Sequence, residues 1–243
     1  GIKEVIKTPV KSIELINTIY RVYDLKDRLM GSKAKHYTAD WEELNLPEQN
    51  SKKATTISVF STKGGVGKTT IAVNLAVSLV QNMKKVALID LDLYAGDIAL
   101  TMNVTPKRRI VDIANDINRL DMDLLESYMV RHPSGVMILA APFNTEHADY
   151  ISDVHIEKIL NILSEEYDYI IIDCANYFYD AVTVALRHSS VILLVTTMDI
   201  LSIKNLKNAI SSLENLNQPR AKMRLVLNEY IRGVGLSLDD VET

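Results

Sequence analysis

The sequence predicts an α/β protein with a mostly parallel, doubly wound sheet and helices on both faces. Three observations predict it. Short apolar runs recur at residues 57–60, 85–90, 136–140, 167–173, 191–196 and 224–228, and strands buried on both faces read as continuous runs of this kind. Helix-patterned segments lie between them, near 68–82, 154–165, 178–187 and 201–214, and this alternation marks crossover connections in a parallel sheet. The first run leads through a glycine-rich turn straight into a helix.

That stretch, TISVFSTKGGVGKTT over residues 56–70, has the layout of a phosphate cradle. Gly64, Gly65 and Gly67, with Val66 between them, let backbone N–H groups approach phosphate oxygens without a Cβ in the way. The helix opening at Lys68, Thr69 and Thr70 adds unpaired N–H groups and partial positive charge. Lys68 is placed to reach the β- and γ-phosphates of ATP or ADP, and the Thr69 hydroxyl to bind Mg2+. The bland alternative is a chance glycine loop with solvated lysines, which the flanking strand and helix disfavour.

The general phosphate-loop pattern asks for glycine at position 62, where this chain has Thr62, followed by an extra lysine, Lys63. KGGVGKTT therefore resembles the deviant Walker A motif of the MinD/ParA group of P-loop ATPases. The resemblance implies that Lys63 crosses a dimer interface to the partner's phosphates. It also implies a slow, partner-regulated ATPase, with Lys63, Lys68 and Asp92 in catalysis.

Composition bounds the remaining options. A chain of 243 residues suits one α/β domain with a small appendage. A net charge of −4 disfavours a nucleic-acid platform, whose usual footprint is a basic surface. The single cysteine, Cys174, excludes an internal disulfide and fits a reducing cytoplasm. The five histidines (His36, His132, His147, His155, His188) make no metal-ligand spacing.

Residues 1–31 carry a short strand-like piece at Val5 and Ile6, then a helix with Ser12 as its cap. They resemble the last strand and helix of a receiver domain; an amphipathic extension packed on the ATPase is the alternative. Residues 32–55 are polar and read as a linker, leaving 56–243 as the ATPase domain. The run at 85–90 ends in DLDLYAGD. On extended chain, Asp90 and Asp92 point the same way, at the strand end where α/β sheets bind ligands. DLDLYAGDIAL and, later, GVGLSLDDVET resemble the CpaE/TadZ branch of the group. The group implies that Asp90 supports the metal and that Asp92 positions the attacking water. Lys107-Arg108-Arg109 reads as a solvated loop ahead of a contact with a partner or an acidic lipid surface.

Residues 167–173 form a strand of the Walker B type, with Asp173 able to hold the water shell of Mg2+. The family's D-x-P is replaced by Asp173-Cys174-Ala175. Asn228 stands where the group carries an Asn-Arg pair that reads adenine, but Glu229 replaces the arginine. An asparagine closing a strand into a turn is the alternative. The family's helix near the end is expected to continue past Thr243. The resemblance implies an ATP-dependent homodimer that positions a cell-envelope assembly such as a Tad/Flp pilus secretion system. It sets that dimer in the cytoplasm, at a pole or peripheral to the inner face of the membrane. Placement of a septum or flagellum, DNA segregation, or a scaffold that merely holds nucleotide are the alternatives.

Overall fold

The computed structural model describes residues 5–7 and 53–229. Its strands are β1 (Val5–Lys7), β2 (Thr55–Phe60), β3 (Val86–Leu91), β4 (Val130–Arg131), β5 (Met137–Leu139), β6 (Tyr169–Cys174), β7 (Val191–Thr196) and β8 (Met223–Leu227). They form one sheet in the order β1-β8-β7-β2-β6-β3-β5-β4. Every pairing is parallel except β4 against β5. The expected class is therefore the observed one. β4 is an addition to the apolar runs read from the sequence: the preceding helix stops at Tyr128 and Val130 pairs with Ile138.

The helices are α1 (Lys68–Gln81), α2 (Ile98–Thr101), α3 (Met122–Tyr128), α4 (Asp153–Glu166), α5 (Asp180–His188) and α6 (Ile200–Asn215). Strand alternation divides them between two faces. Ile57, Val59, Leu88, Ile171 and Leu193 face α1 and α2. Phe60, Ala87, Ile89, Ile170, Ile172, Ile192 and Leu194 face α4, α5 and α6. The central strands thus bury side chains on both sides, as the continuous apolar runs require. Truncating Ile171, which is fully buried, to alanine would cost about 2–5 kcal/mol.

Because the central strands are parallel, their C-terminal ends share one edge. The loops after β2, β3, β6, β7 and β8 converge there, on both sides of β2. β1 extends the sheet beyond β8, with Val5 opposite Leu225, so this three-residue piece belongs to the same sheet. The helix expected after Pro9, most of the linker and the GVGLSLDDVET segment lie outside the described residues.

Candidate functional site

β2 delivers the chain into a loop whose shape depends on two left-handed glycines, Gly65 at φ 75 and Gly67 at φ 93. Gly67 is the N-cap of α1, has no side-chain cap, and is followed by no acidic residue in the first turn. The orphan N–H groups of this helix start are thus left for an anion. The Lys68 ammonium makes no hydrogen bond or ion pair among the described residues. Gly64 faces the loop after β6: a Cβ there would sit 3.5 Å from Asn176 Nδ2.

The acidic residues are sorted by depth. Asp173 is buried at the end of β6, and its Oδ2 accepts a 2.6 Å hydrogen bond from Thr69 Oγ1. Its Oδ1 is buried without a partner. Burial pushes the Asp173 carboxyl up to about 6, against the opposing pull of the Thr69 hydrogen bond and the Lys68 charge. Asp90 lies opposite Asp173 in the β3–β6 register and is also buried. Burial, then the Asp173 charge, holds its carboxyl well above the usual range. Its oxygens accept from the backbone N–H groups of Asp92 (3.2 Å) and Ile98 (3.1 Å). Asp90 therefore holds the loop over residues 92–98 in shape, a task that sequence reasoning did not assign to it.

Asp92 departs from the expected alternation. β3 ends at Leu91, so Asp92 opens a turn, half-exposed, its Oδ1 accepting from Ala95 N at 3.2 Å. Its charge nevertheless reaches both buried carboxyls, raising Asp90 and Asp173.

Lys63 is held within its own chain. It does not stand free at the loop entrance: its Nζ donates to Asp199 Oδ2 and to Ser202 Oγ, both at 2.8 Å. Asp199 caps α6 through Ser202 N and also accepts from Thr197 Oγ1. These donors, the Lys63 ammonium first, hold its carboxyl well below the usual carboxylate range. Both partners remain partly exposed, 32% and 45%, so water screens the pair and its net worth is small. Lys63 is tethered to its own chain by an exchangeable contact.

Asn228 reaches the phosphate loop itself: its Nδ2 donates to the Val66 carbonyl at 2.9 Å. Arg109, expected in a solvated loop, donates to the Ala141 carbonyl at 2.8 Å and stacks over Phe143. Sequence reasoning also missed a tyrosine group that spans the loops after β3 and β6. Tyr179 Oη donates to the Leu91 carbonyl at 2.5 Å, and Tyr94, Tyr177 and Tyr179 lie ring to ring at 5.1–6.4 Å. The signal for it was the run Tyr177-Phe178-Tyr179 directly after the Walker B strand.

The residues present fit a divalent cation beside a triphosphate. A buried, unpartnered carboxylate oxygen and a hydroxyl bonded to the same carboxylate are a hard-oxygen donor set. No cluster of three or more His, Cys, Asp or Glu residues suited to a metal on their own occurs among the described residues.

Residues 54–226 match a family profile described as an AAA domain. The chain belongs to that AAA-domain family. Its relatives are MinD/ParA-type P-loop ATPases. This AAA-domain chain is 29% identical over 175 residues to "Antiactivator FleN" of Pseudomonas aeruginosa, covering 71% of itself and 60% of that protein. It thus spans about 60% of the length of that curated relative. A ParA family ATPase from Chlorobium tepidum superposes with a TM-score of 0.73 at 24% identity, over 79% of this chain and 80% of the other. The septum site-determining protein MinD of Pyrococcus horikoshii, complexed with Mg-ADP, gives 0.64 at 23%, over 78% and 76%. At these identities the two structures speak to the fold. Among the described residues, no helix is long and apolar enough to cross a membrane.

Proposed function

We propose that this protein is an ATP-operated switch that binds ATP with Mg2+, pairs face to face with a second copy, engages a partner as that dimer, and is released by slow hydrolysis. The observation that carries the reading is the open start of α1. Uncapped N–H groups and Lys68, which has no partner among the described residues, stand beside Thr69 and the orphaned Asp173 oxygen. Lys68 would hold the β- and γ-phosphates, and Thr69 and Asp173 the cation, which supplies positive charge against the triphosphate oxygens. Asp92, at the rim, would orient the attacking water. The MinD structure described above holds Mg-ADP on the same fold.

Pairing through this edge is supported by what it exposes. Tyr94, Phe143, Tyr150, Tyr177, Ile200 and Leu201 all lie in or beside the loops at the C-terminal ends of the strands, and all are exposed. Lys63 is on the same edge. Its tether to Asp199 is weak enough to exchange for a partner's triphosphate, a stronger charge-assisted contact when desolvated.

What the switch serves is a finer matter. The MinD likeness favours placement of a structure such as the septum, or a ParA-type partition role, over the pilus machinery that the CpaE/TadZ-like motifs suggest. The net charge of −4 weighs against DNA as the partner, since such binding needs a basic surface and falls steeply with salt.

Light scattering after size exclusion tests the switch. Lys63→Ala should bind ATP, stay monomeric and hydrolyse slowly. Asp92→Ala should bind ATP and accumulate as dimer, because the step that ends the dimer is blocked. An ATP-loaded Asp92→Ala that remains wholly monomeric at tens of micromolar would overturn the switch and favour a static scaffold. A ligand shifts an equilibrium only by its differential affinity for the two states.

A further inference from the structure

We infer that Asn228 is a positioning residue for the phosphate loop: its side-chain amide fixes the Val66–Gly67 peptide so that the Gly67 N–H is aimed into the cradle. The inference rests on the nucleotide-binding reading above. It assigns Asn228 a task that serves the triphosphate whichever base is attached, which is not the adenine reading its place in the sequence implies.

The geometry starts from an anchored backbone. β8 ends at Leu227, and Asn228 N donates to the Thr196 carbonyl at 2.8 Å. From there the side chain crosses to the loop, and Nδ2 donates to Val66 O at 2.9 Å, linking positions 162 residues apart. In a trans peptide the carbonyl and the following N–H point in opposite directions. Pinning the Val66 oxygen on the β8 side therefore turns the Gly67 N–H to the other side. That N–H has no acceptor among the described residues. It belongs to the N-cap of α1, one of the donors that a helix start presents to an anion.

The pin is needed because of the residue it acts on. Glycine accepts positive and negative φ almost equally, so the peptide before Gly67 has little intrinsic reason to keep its orientation. A flipped peptide would turn a carbonyl oxygen, and not an N–H, toward the phosphates. Gly67 is in turn shaped to admit the pin: a Cβ there would lie 2.3 Å from Asn228 Nδ2. Amide and glycine are fitted to each other, and the fit joins the end of β8 to the phosphate loop.

The test measures affinity for Mg-ATP and for inorganic tripolyphosphate, the latter by competition with a fluorescent ATP analogue. Asn228→Ala removes the donor. Asn228→Asp keeps the shape but sets a carboxylate oxygen against the Val66 carbonyl. Each variant should lose affinity for both ligands by the same factor, roughly three- to tenfold for Asn228→Ala, from the worth of one hydrogen bond, and more for Asn228→Asp. Should Asn228→Asp fail to fold, Asn228→Ala carries the test alone. Loss of ATP affinity with tripolyphosphate unchanged makes Asn228 a base reader and overturns the inference. Unchanged affinity for both, with or without a lower melting temperature, reduces Asn228 to a structural residue and overturns it too. A wild-type protein that binds ATP but not tripolyphosphate also overturns it, since the loop then lacks a measurable grip on the phosphates. A wild-type protein that binds neither removes the nucleotide reading itself, a failure distinct from variants that match the wild type.

Discussion

Asp173→Asn should make the nucleotide-free protein more stable while disabling it. The carboxyl is buried with one oxygen unpartnered, and burial raises it from 3.8 to about 6. In the unfolded chain it titrates near the ordinary value. Between those two values the folded protein keeps a proton that the unfolded chain has released. Stability therefore falls as pH rises through this window and stays reduced above it. The full difference corresponds to about 3 kcal/mol at pH 8 and about half of that at pH 5. Asparagine carries no charge to desolvate, and its side-chain oxygen can still accept from Thr69, so the variant should recover up to about 3 kcal/mol. The neighbouring Asp90, itself raised partly by the Asp173 charge, should benefit as well. Urea denaturation of both proteins from pH 5 to pH 8, without nucleotide or Mg2+, reads the difference. The gap should widen with pH. Saturating Mg-ATP should reverse the order, because ligand at a thousand times its dissociation constant adds about 4.1 kcal/mol to whichever protein binds it. A variant no more stable than wild type at pH 8, or a gap that does not change with pH, would refute the reasoning that the buried charge is uncompensated.

Three further outcomes follow from the same geometry. Lys68→Ala should lose roughly ten- to a hundredfold in ATP affinity, the worth of one charge-assisted contact, read by calorimetry; retained wild-type affinity would remove the phosphate-cradle assignment. Asp199→Ala should free Lys63 and lower the protein concentration needed for the ATP-dependent dimer by up to about fivefold, since an exposed pair holds about 1 kcal/mol at most, while the lost cap of α6 lowers stability by about 0.5–2 kcal/mol. An unchanged or weakened dimer on scattering would mean that the contact is no restraint. Gly96→Ala should lower stability by about 1–3 kcal/mol, because its Cβ would fall 2.3 Å from Ala141 Cβ and 2.7 Å from Asp90 Oδ2; a wild-type melting curve would show that the loop gives way freely.

The parts of this site that were legible in the sequence are those whose chemistry is local. A phosphate loop must follow a strand and open a helix within about fifteen residues, so its glycines, Lys68 and Thr69 stand together in the chain. Asp173 was legible for a related reason, since a buried parallel strand advertises its own end. The fold class followed because helix and strand periodicities alternate along the chain. What was not legible joins positions far apart. The tether of Lys63 to Asp199 spans 136 residues and the Asn228 contact 162. No spacing rule connects such pairs; only the parallel sheet brings the ends of β2, β7 and β8 to one edge.

The two glycines outside ordinary turn chemistry show how the local and the distant parts meet. Gly67 reads from sequence as a residue that lets the backbone approach phosphate without a Cβ in the way, and Gly96 stands in the DLDLYAGD run. The structure gives each a second reason, which lies in another element. Gly67 makes room for the Asn228 amide and Gly96 for the Asp90 carboxylate. At each, a strand side chain grips loop backbone: Asn228, at the end of β8, holds the loop after β2, and Asp90, within β3, holds the loop that follows its own strand. The Asn228 amide holds a peptide of the phosphate loop, and the Asp90 carboxylate holds the N–H groups of Asp92 and Ile98. The loop that leads to Lys68 and the loop carrying Asp92 are therefore shaped by side chains that lie outside them, through contacts that are part-buried or buried. A change at β8 or within β3 can reach the triphosphate site without touching any residue of the Walker motif, and the paired glycine is where such a change would be felt first.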